Sequence, residues 1–536
     1  MKVCLINPRF PKSQFLVMNQ GLLQLAAEVK RAGHSCEILD FTDRAQAFSP
    51  DRLKRFDLVG LSVMTAQLWH AVEIAEALSP HVKVAWGGVH CLLDPLSILN
   101  RFPDHYVVSG EGEIPFVNLL ERLEGRRTSE WLSRQKGVCF SLEGRPHLAE
   151  PYFITDLEAL ADVNYHDYPN IARYIALDFH CFQQVIPSLI AVTARGCNWN
   201  CSFCINTICK KYGALHRSKS IGKIRRETEP IIDEFGVKIL LPRDEDFLSN
   251  RKLLAEWMEY TTEKGLLWAA SGRYNYFRTA YTPHLLAKMK ESGLIQLGLS
   301  IESGCERLRN EVLRKQVTDE DIHNTIRTIR ATVGDTVIVN SGVMQDFPGE
   351  TAKDKIRTII WMDRLSRNLN AQFSGPQPYR NYPHTELSEK DVTIPRGSLE
   401  FYLKNVAPDG AILTAGKRSW SSLFYEFPLS LYFNSRTRLF RARDVAARPI
   451  QYDVLPPKYP SGYGILGPLF WTIRLRLRFG FWGLFMEPPA IYALFLLWKK
   501  ARILYFDTRG KFRRLPGRIR RLVSAHAGVR WKGGEK

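Results

Sequence analysis

Ala194-Arg195-Gly196-Cys197-Asn198-Trp199-Asn200-Cys201-Ser202-Phe203-Cys204 is the stretch around which the rest of the chain is organised. Its cysteines follow a Cys-x3-Cys-x2-Cys spacing and converge on one small volume only if the backbone loops around it. Thiolates are soft ligands suited to zinc or to iron–sulfur clusters, and clusters are usually held by four of them. With three in the tight set, a four-iron cluster keeps one iron open to chelate a small molecule. The competing reading is a zinc site with Cys209 as fourth ligand. Zinc sites more often pair two Cys-x2-Cys or Cys/His units across a longer loop, and no second such unit occurs here.

Downstream of the loop, from Ser188 to about Gln372, strand and helix patterns alternate, and polar groups follow successive strand-like runs. Val237 to Leu241 ends in Arg243-Asp244-Glu245-Asp246, and Leu267 to Ala270 leads to Arg273. Ile295 to Ile301 ends in Glu302-Ser303-Gly304, and Val337 to Met344 in Asp346-Phe347-Pro348-Gly349-Glu350-Thr351. Polar groups at strand ends are where a βα barrel builds its active site. Surface or helix-capping roles are the plainer alternative for each carboxylate.

Upstream, residues 1–125 alternate strand-like runs (Val3 to Asn7, Cys36 to Phe41, Leu58 to Val63, Val82 to Gly88, Tyr106 to Val108) with helical patterns. That alternation predicts a parallel sheet covered by helices, with ligands beyond the carboxyl ends of its strands. Gly60-x-Ser62, Gly87-Gly88 and Gly110-Glu111-Gly112-Glu113 stand at those ends. Glycine there lets backbone approach a flat ligand, or simply makes a tight turn.

The cysteine spacing after the apolar run Leu189-Ile190-Ala191-Val192-Thr193, with Arg195-Gly196 before it and Phe203 inside it, resembles the signature of the radical S-adenosylmethionine (SAM) superfamily. The three glycine-marked ends resemble the cobalamin-binding domain of its B12-dependent members. The resemblance implies an α/β chain. An N-terminal Rossmann-like (flavodoxin-like) B12-binding domain spans 1–135 and a connector 136–187. A partial (β/α)6 TIM-like radical SAM barrel spans 188–400, and a mainly helical, basic C-terminal region spans 401–536. It assigns Cys197, Cys201 and Cys204 to a [4Fe-4S] cluster. Phe203, Glu245, Arg273 and Glu302 go to SAM, and Gly60, Ser62, Gly87, Gly88, Gly110, Glu111, Gly112 and Glu113 to cobalamin.

The same resemblance implies SAM cleavage by one electron, from a reductant such as flavodoxin or ferredoxin, to methionine and a 5′-deoxyadenosyl radical. That radical takes hydrogen from an unactivated carbon, chemistry no amino-acid side chain performs. Methyl transfer to that carbon is the expected outcome, with oxidation or ring formation, as in an anaerobic cyclase, as the alternative. A radical SAM enzyme whose first domain binds something else, and a non-catalytic iron–sulfur or zinc protein, remain open.

Four departures from the family pattern stand out. Asn198 occupies a position where many members carry proline. Asp346 and His384 stand where glycine is usual, and they are expected to reshape the substrate pocket. The Asp-x-His-x-x-Gly of other B12 proteins is missing from Asn7-Pro8-Arg9-Phe10-Pro11, and Asp178-Phe179-His180 lacks the glycine. No protein imidazole is therefore expected on cobalt.

At 536 residues the chain has room for two to four domains. Its ten cysteines do not read as a disulfide framework, and the first strand begins without a signal-peptide pattern. A cytoplasmic location is expected. Arg436 to Lys536 holds 22 Lys/Arg and 5 Asp/Glu, a surplus of 17 within a net charge of +19. Two apolar, aromatic blocks lie there, Gly462 to Ile473 and Gly480 to Trp498, the second broken by Glu487-Pro488-Pro489. The pattern predicts an interfacial element on an anionic membrane surface and a small-molecule or lipid-like substrate. A buried helical cap over the barrel is the alternative. Nucleic acid is disfavoured, because the aromatics come in apolar blocks rather than interleaved with single basic residues.

Overall fold

A computed structural model describes residues 1–10, 18–43, 46–175, 181–390, 395, 397–405, 429–457 and 467–479. The chain forms two compact units: Met1–Ile171 with Ala194–Pro230 and Arg380–Lys417, and Ala172–Thr193 with Ile231–Tyr379 and Arg418–Lys536.

In the first unit, β1 (Lys2–Asn7), β2 (Ser35–Asp40), β3 (Leu58–Ser62), β4 (Lys83–Gly87) and β5 (Tyr106–Val108) pair in parallel. β6 (Val138–Leu142) and β7 (Arg145–His147) continue the sheet antiparallel, giving the order β2-β1-β3-β4-β5-β6-β7. Val3, Cys4, Leu5 and Ile6 are all fully buried, as expected of a parallel sheet covered on both faces. The order reverses between β1 and β3, the switch point beside which such sheets bind ligands. Helix Gln20–Arg31 starts where the Asn19 side chain accepts from Leu22 N–H (3.2 Å), and it buries Leu22, Leu23, Ala26 and Val29. This cap satisfies one of the helix's free amides.

The hairpin of β6 and β7 corrects the expectation of a connector over 136–187. Val138, Cys139 and Phe140 are buried, and Glu143 and Gly144 at φ 52° and 75° make its turn. The other interior boundaries shift as well. The cysteine stretch and helix Leu399–Asn405 pack with the first unit, Leu399 and Tyr402 lying in its core.

In the second unit, β8 (Ser188–Ala191) precedes the short ribbon of β9 (Ala194–Arg195) and β10 (Arg217–Ser218), which itself belongs to the first unit. Then follow β11 (Ile239–Pro242), β12 (Leu267–Gly272), β13 (Leu294–Leu299), β14 (Ile338–Gln345) and β15 (Ala371–Pro378). With β8 they form a six-stranded parallel sheet, each strand beside its neighbour in the sequence, as a partial barrel requires.

The mainly helical C-terminal region also contains a hairpin. β16 (Phe440–Asp444) and β17 (Gln451–Val454) form a hairpin whose Phe440 and Ile450 join Phe182 against Ile239, Leu267, Ile295 and Ile338. Those four lie at the amino-terminal ends of their strands, so the hairpin plugs that mouth of the barrel. In helix Gly467–Phe479, Phe470 packs on Tyr432 (5.4 Å between rings) and Ile473 is buried, whereas Trp471 is 62 % exposed. The second aromatic block, 480–498, lies outside the described residues, as does Asp178-Phe179-His180. No described helix is long and apolar enough to cross a membrane.

Candidate active site

The ribbon of β9 and β10 closes a loop, 196–216, that carries Cys197, Cys201, Cys204 and Cys209. Gly196 sits at φ 82°, and a Cβ there would stand 2.5 Å from the Leu215 carbonyl, so only glycine lets the loop close this tightly. Inside it, Cys204 N–H donates to Cys201 O at 3.0 Å, a turn between the second and third cysteines. All four thiols are free of disulfides. Among the described residues no three His, Cys, Asp or Glu side chains are gathered closely enough to hold a metal ion. The donor chemistry suits a soft iron–sulfur cluster, while the ligand set rests on the spacing and the closed loop. Phe203 is half-buried within the same loop.

The strand ends of the first unit divide into filled and open positions. At Gly88 (φ 92°) a Cβ would meet Val63 N at 2.7 Å, and at Gly110 (φ 95°) Tyr152 O at 2.2 Å. At Gly60 it would meet a Leu5 methyl at 2.8 Å. Gly88 and Gly110 are required by the protein's own backbone packing, whereas Gly60 faces only side-chain atoms of Leu5 and Phe116. Gly87 and Gly112 are different: a Cβ would find nothing nearer than 4.0 and 3.5 Å. Ser62 Oγ accepts from Asn19 Nδ2 at 3.1 Å. Ser109, which the sequence reading passed over, directly follows β5 with a buried hydroxyl that has no hydrogen-bond partner among the described residues. Its signal was its place directly before the Gly110 run. A buried hydroxyl without a partner at the end of β5, the strand beside the one that Gly87 ends, fits a ligand carrying hydrogen-bonding groups, as a corrinoid does.

Glu111 and Glu113 face arginines. Arg195 donates to Glu113 at 2.6 Å, and Arg217 donates to both Glu111 oxygens at 2.9 and 3.2 Å. Burial works against the Arg195 charge, but Glu113 and Glu111 outweigh it and raise the guanidinium pKa. Of the histidines in this unit, His70 accepts Arg9 N–H through Nδ1 at 3.0 Å, and burial followed by the Arg9 charge lowers it to about 4. Burial holds His90 down to about 3, beside Ser97 Oγ at 3.1 Å.

In the second unit, Asp244 is buried and accepts Thr193 N–H at 2.9 Å, tying the ends of β8 and β11. Glu245, the expected SAM contact, is exposed between buried Asp244 and Asp246. Arg273 is buried and donates to Asn275 Oδ1 (3.3 Å) and to the Lys315 carbonyl. Glu302, at φ 60°, pairs with Lys315 Nζ at 2.9 Å. Lys315 thus joins Arg273 and Glu302 at the ends of β12 and β13.

Asp346 and His384 take φ 62° and 68°, which explains why glycine suits both positions. Both side chains are anchored by the protein itself. Asp346 pairs with Lys355, and His384 Nε2 bonds the Leu93 carbonyl at 2.9 Å.

Comparison with known proteins matches residues 11–120 to the B12 binding domain and residues 191–361 to the Radical SAM superfamily. An uncharacterized methyltransferase of Pyrococcus horikoshii is 27 % identical over 384 residues, 69 % of this chain and 77 % of that protein. The anaerobic magnesium-protoporphyrin IX monomethyl ester cyclase of Cereibacter sphaeroides is 25 % identical, covering 57 % of this chain and 50 % of that protein. The radical SAM methyltransferase TsrM of Kitasatospora setae, solved with cobalamin and a [4Fe-4S] cluster, shares the fold. Its TM-score is 0.56 at 17 % identity, over 73 % of this chain and 74 % of that one. A 2-1-3-4-5 sheet, a cysteine loop after the first strand of a parallel partial barrel, and both domain matches agree: the chain belongs to the radical SAM enzymes that carry a B12-binding domain.

Proposed function

We propose that the protein uses a [4Fe-4S] cluster, SAM and cobalamin to transfer a methyl group to an unactivated carbon. The observation that carries this is the Cys197–Cys201–Cys204 loop, closed by its own ribbon and held to the run that follows β5. When bound, the cluster and SAM supply a carbon radical and the corrinoid supplies the methyl group. The chain's part is to bind and orient. The thiols of Cys197, Cys201 and Cys204 would hold iron. Ser62, Ser109 and the floor at Gly87 would receive the corrinoid. Arg273, Lys315 and Glu302 set the charge at the ends of β12 and β13.

For the substrate, we favour a large apolar molecule such as a lipid, polyprenoid or tetrapyrrole, met at an anionic membrane surface. The support is the basic, aromatic composition beyond residue 479. Oxidation or ring formation with the same cofactors is the second reading, favoured by the likeness to the cyclase of C. sphaeroides. Anaerobic reconstitution with iron and sulfide, followed by assay for 5′-deoxyadenosine with and without cobalamin, tests the proposal. Cofactor-dependent SAM cleavage is expected. Metal uptake with no cleavage under reducing conditions would return the chain to a non-catalytic metal protein.

A further inference from the structure

The Gly110-Glu111-Gly112-Glu113 run follows β5 of the sheet that matches the B12-binding family, yet both of its carboxylates are engaged with the cysteine loop. Arg195 and Arg217 face each other across the ribbon that closes that loop, and Ala194 faces Ser218. Glu113 accepts Arg195 at 2.6 Å, and Glu111 accepts Arg217 at 2.9 and 3.2 Å. Arg195 also reaches Glu111 at 3.5 Å, so the four charges form one network of two carboxylates and two guanidinium groups. The run itself is pinned from behind. Glu111 N–H donates to Tyr152 O at 2.7 Å, Ile154 N–H donates to the Glu111 carboxylate at 2.8 Å, and Gly110 leaves no room for a side chain against Tyr152.

We propose that Glu111 and Glu113 are positioning residues for the cysteine loop, clamping its two closing arginines, and are not ligands of the corrinoid. This rests on the cofactor reading above only in what the loop is for; the clamp is a property of the chain. Glu111, which holds Arg217 through both oxygens and also accepts Ile154 N–H, has little capacity left for a corrinoid amide, and Glu113 is committed to Arg195 through Oε1. Neutralising either one leaves the two part-buried guanidinium groups only one carboxylate between them at the root of the loop, which then loosens. Loosening should first be felt at Cys201, the most enclosed of the three thiols at 7 % exposure.

The test uses the full-length, metal-free protein and iodoacetamide, with site-resolved mass spectrometry. Cys4 and Cys91, fully buried in the first sheet's core, report global unfolding. In Glu113→Gln and Glu111→Gln, alkylation of Cys201 should accelerate at least fivefold while Cys4 and Cys91 stay protected, and hydroxocobalamin affinity should stay within twofold of wild type. Glu113→Asp keeps the charge, so its Cys201 rate should lie nearer wild type. An unchanged Cys201 rate in both glutamine variants would overturn the proposal. So would acceleration shared equally by Cys4 and Cys91, or a tenfold loss of hydroxocobalamin affinity with unchanged labelling. Labelling requires neither iron nor corrinoid, whereas a wrong cofactor reading shows up separately, as a wild-type protein that takes up neither.

Discussion

The Glu350 carboxylate accepts the backbone N–H of Asp346 at 2.5 Å, while its other oxygen is buried with no hydrogen-bond partner among the described residues. Both residues lie in the turn that follows β14 of the barrel. Burial pushes this carboxyl up to about 8, outweighing the Asp346 N–H and the Lys355 charge. It is therefore protonated at neutral pH. A folded value above the unfolded one, here 4.5, means the native state binds the proton more tightly. The stability this group contributes is complete below its unfolded value and is lost as pH rises through about 8. Glu350→Gln should flatten that decline. Thermal melts of both proteins across this window are expected to separate, with the variant gaining at the alkaline end. Parallel curves would refute the protonated assignment.

Gly88 and Gly87 are adjacent and should behave oppositely. Gly88→Ala forces a Cβ against the Val63 backbone at a positive φ, a strain of about 1–3 kcal/mol. Gly87→Ala meets only the Leu61 and Val108 carbonyl oxygens at 4.0 Å, an ordinary contact, and should leave the melting temperature nearly unchanged. Reduced hydroxocobalamin uptake in the stable Gly87→Ala variant would place the corrinoid on that floor. Unchanged uptake in both Gly87→Ala and Gly87→Leu would remove the corrinoid from it.

The contrast shows what the sequence made legible. Strand runs and the polar ends after them are local signals, and the parallel order of β1 to β5 and of the barrel sheet follows from their alternation with helices. What fills the space beside a glycine is not local. Val63 lies 25 residues from Gly88, and Tyr152 lies 42 from Gly110, so a packing glycine and a cofactor glycine look alike. The same holds for Glu113, whose partner Arg195 is 82 residues on. The β6–β7 hairpin was hidden because its second strand, Arg145–His147, is short and polar. The cysteine spacing needed no partner elsewhere to be read.

Spin resonance of the cob(II)alamin-loaded protein should show no nitrogen splitting from a lower axial imidazole. The loop after β1 contains no histidine, and His70 is already bonded to the Arg9 amide through Nδ1. Clear coupling to an axial imidazole or benzimidazole nitrogen would show the prediction wrong.

Membrane attachment is best tested by comparing the full chain with one ending at Phe479. An earlier cut would remove the hairpin that plugs the barrel. Each basic residue near an anionic leaflet contributes about 1 kcal/mol. Burial of Phe481, Trp482, Phe485, Leu494 and Trp498 would add roughly 1.5–3 kcal/mol per side chain. The full chain should co-sediment with anionic liposomes at low salt, and the shortened one should not. Failure of the full chain to bind either anionic or neutral liposomes would withdraw the main support for an apolar substrate.

The central claim is that three thiols of one loop hold the cluster. The most direct measurement is iron content and visible absorption after anaerobic reconstitution of Cys197→Ala, Cys201→Ala, Cys204→Ala and Cys209→Ala, alongside 5′-deoxyadenosine formation. The first three should each lose the cluster and SAM cleavage, while Cys209→Ala should keep both. Retention of iron and cleavage in two of the first three would contradict the account, and so would loss of metal in Cys209→Ala, as a four-thiolate zinc site requires.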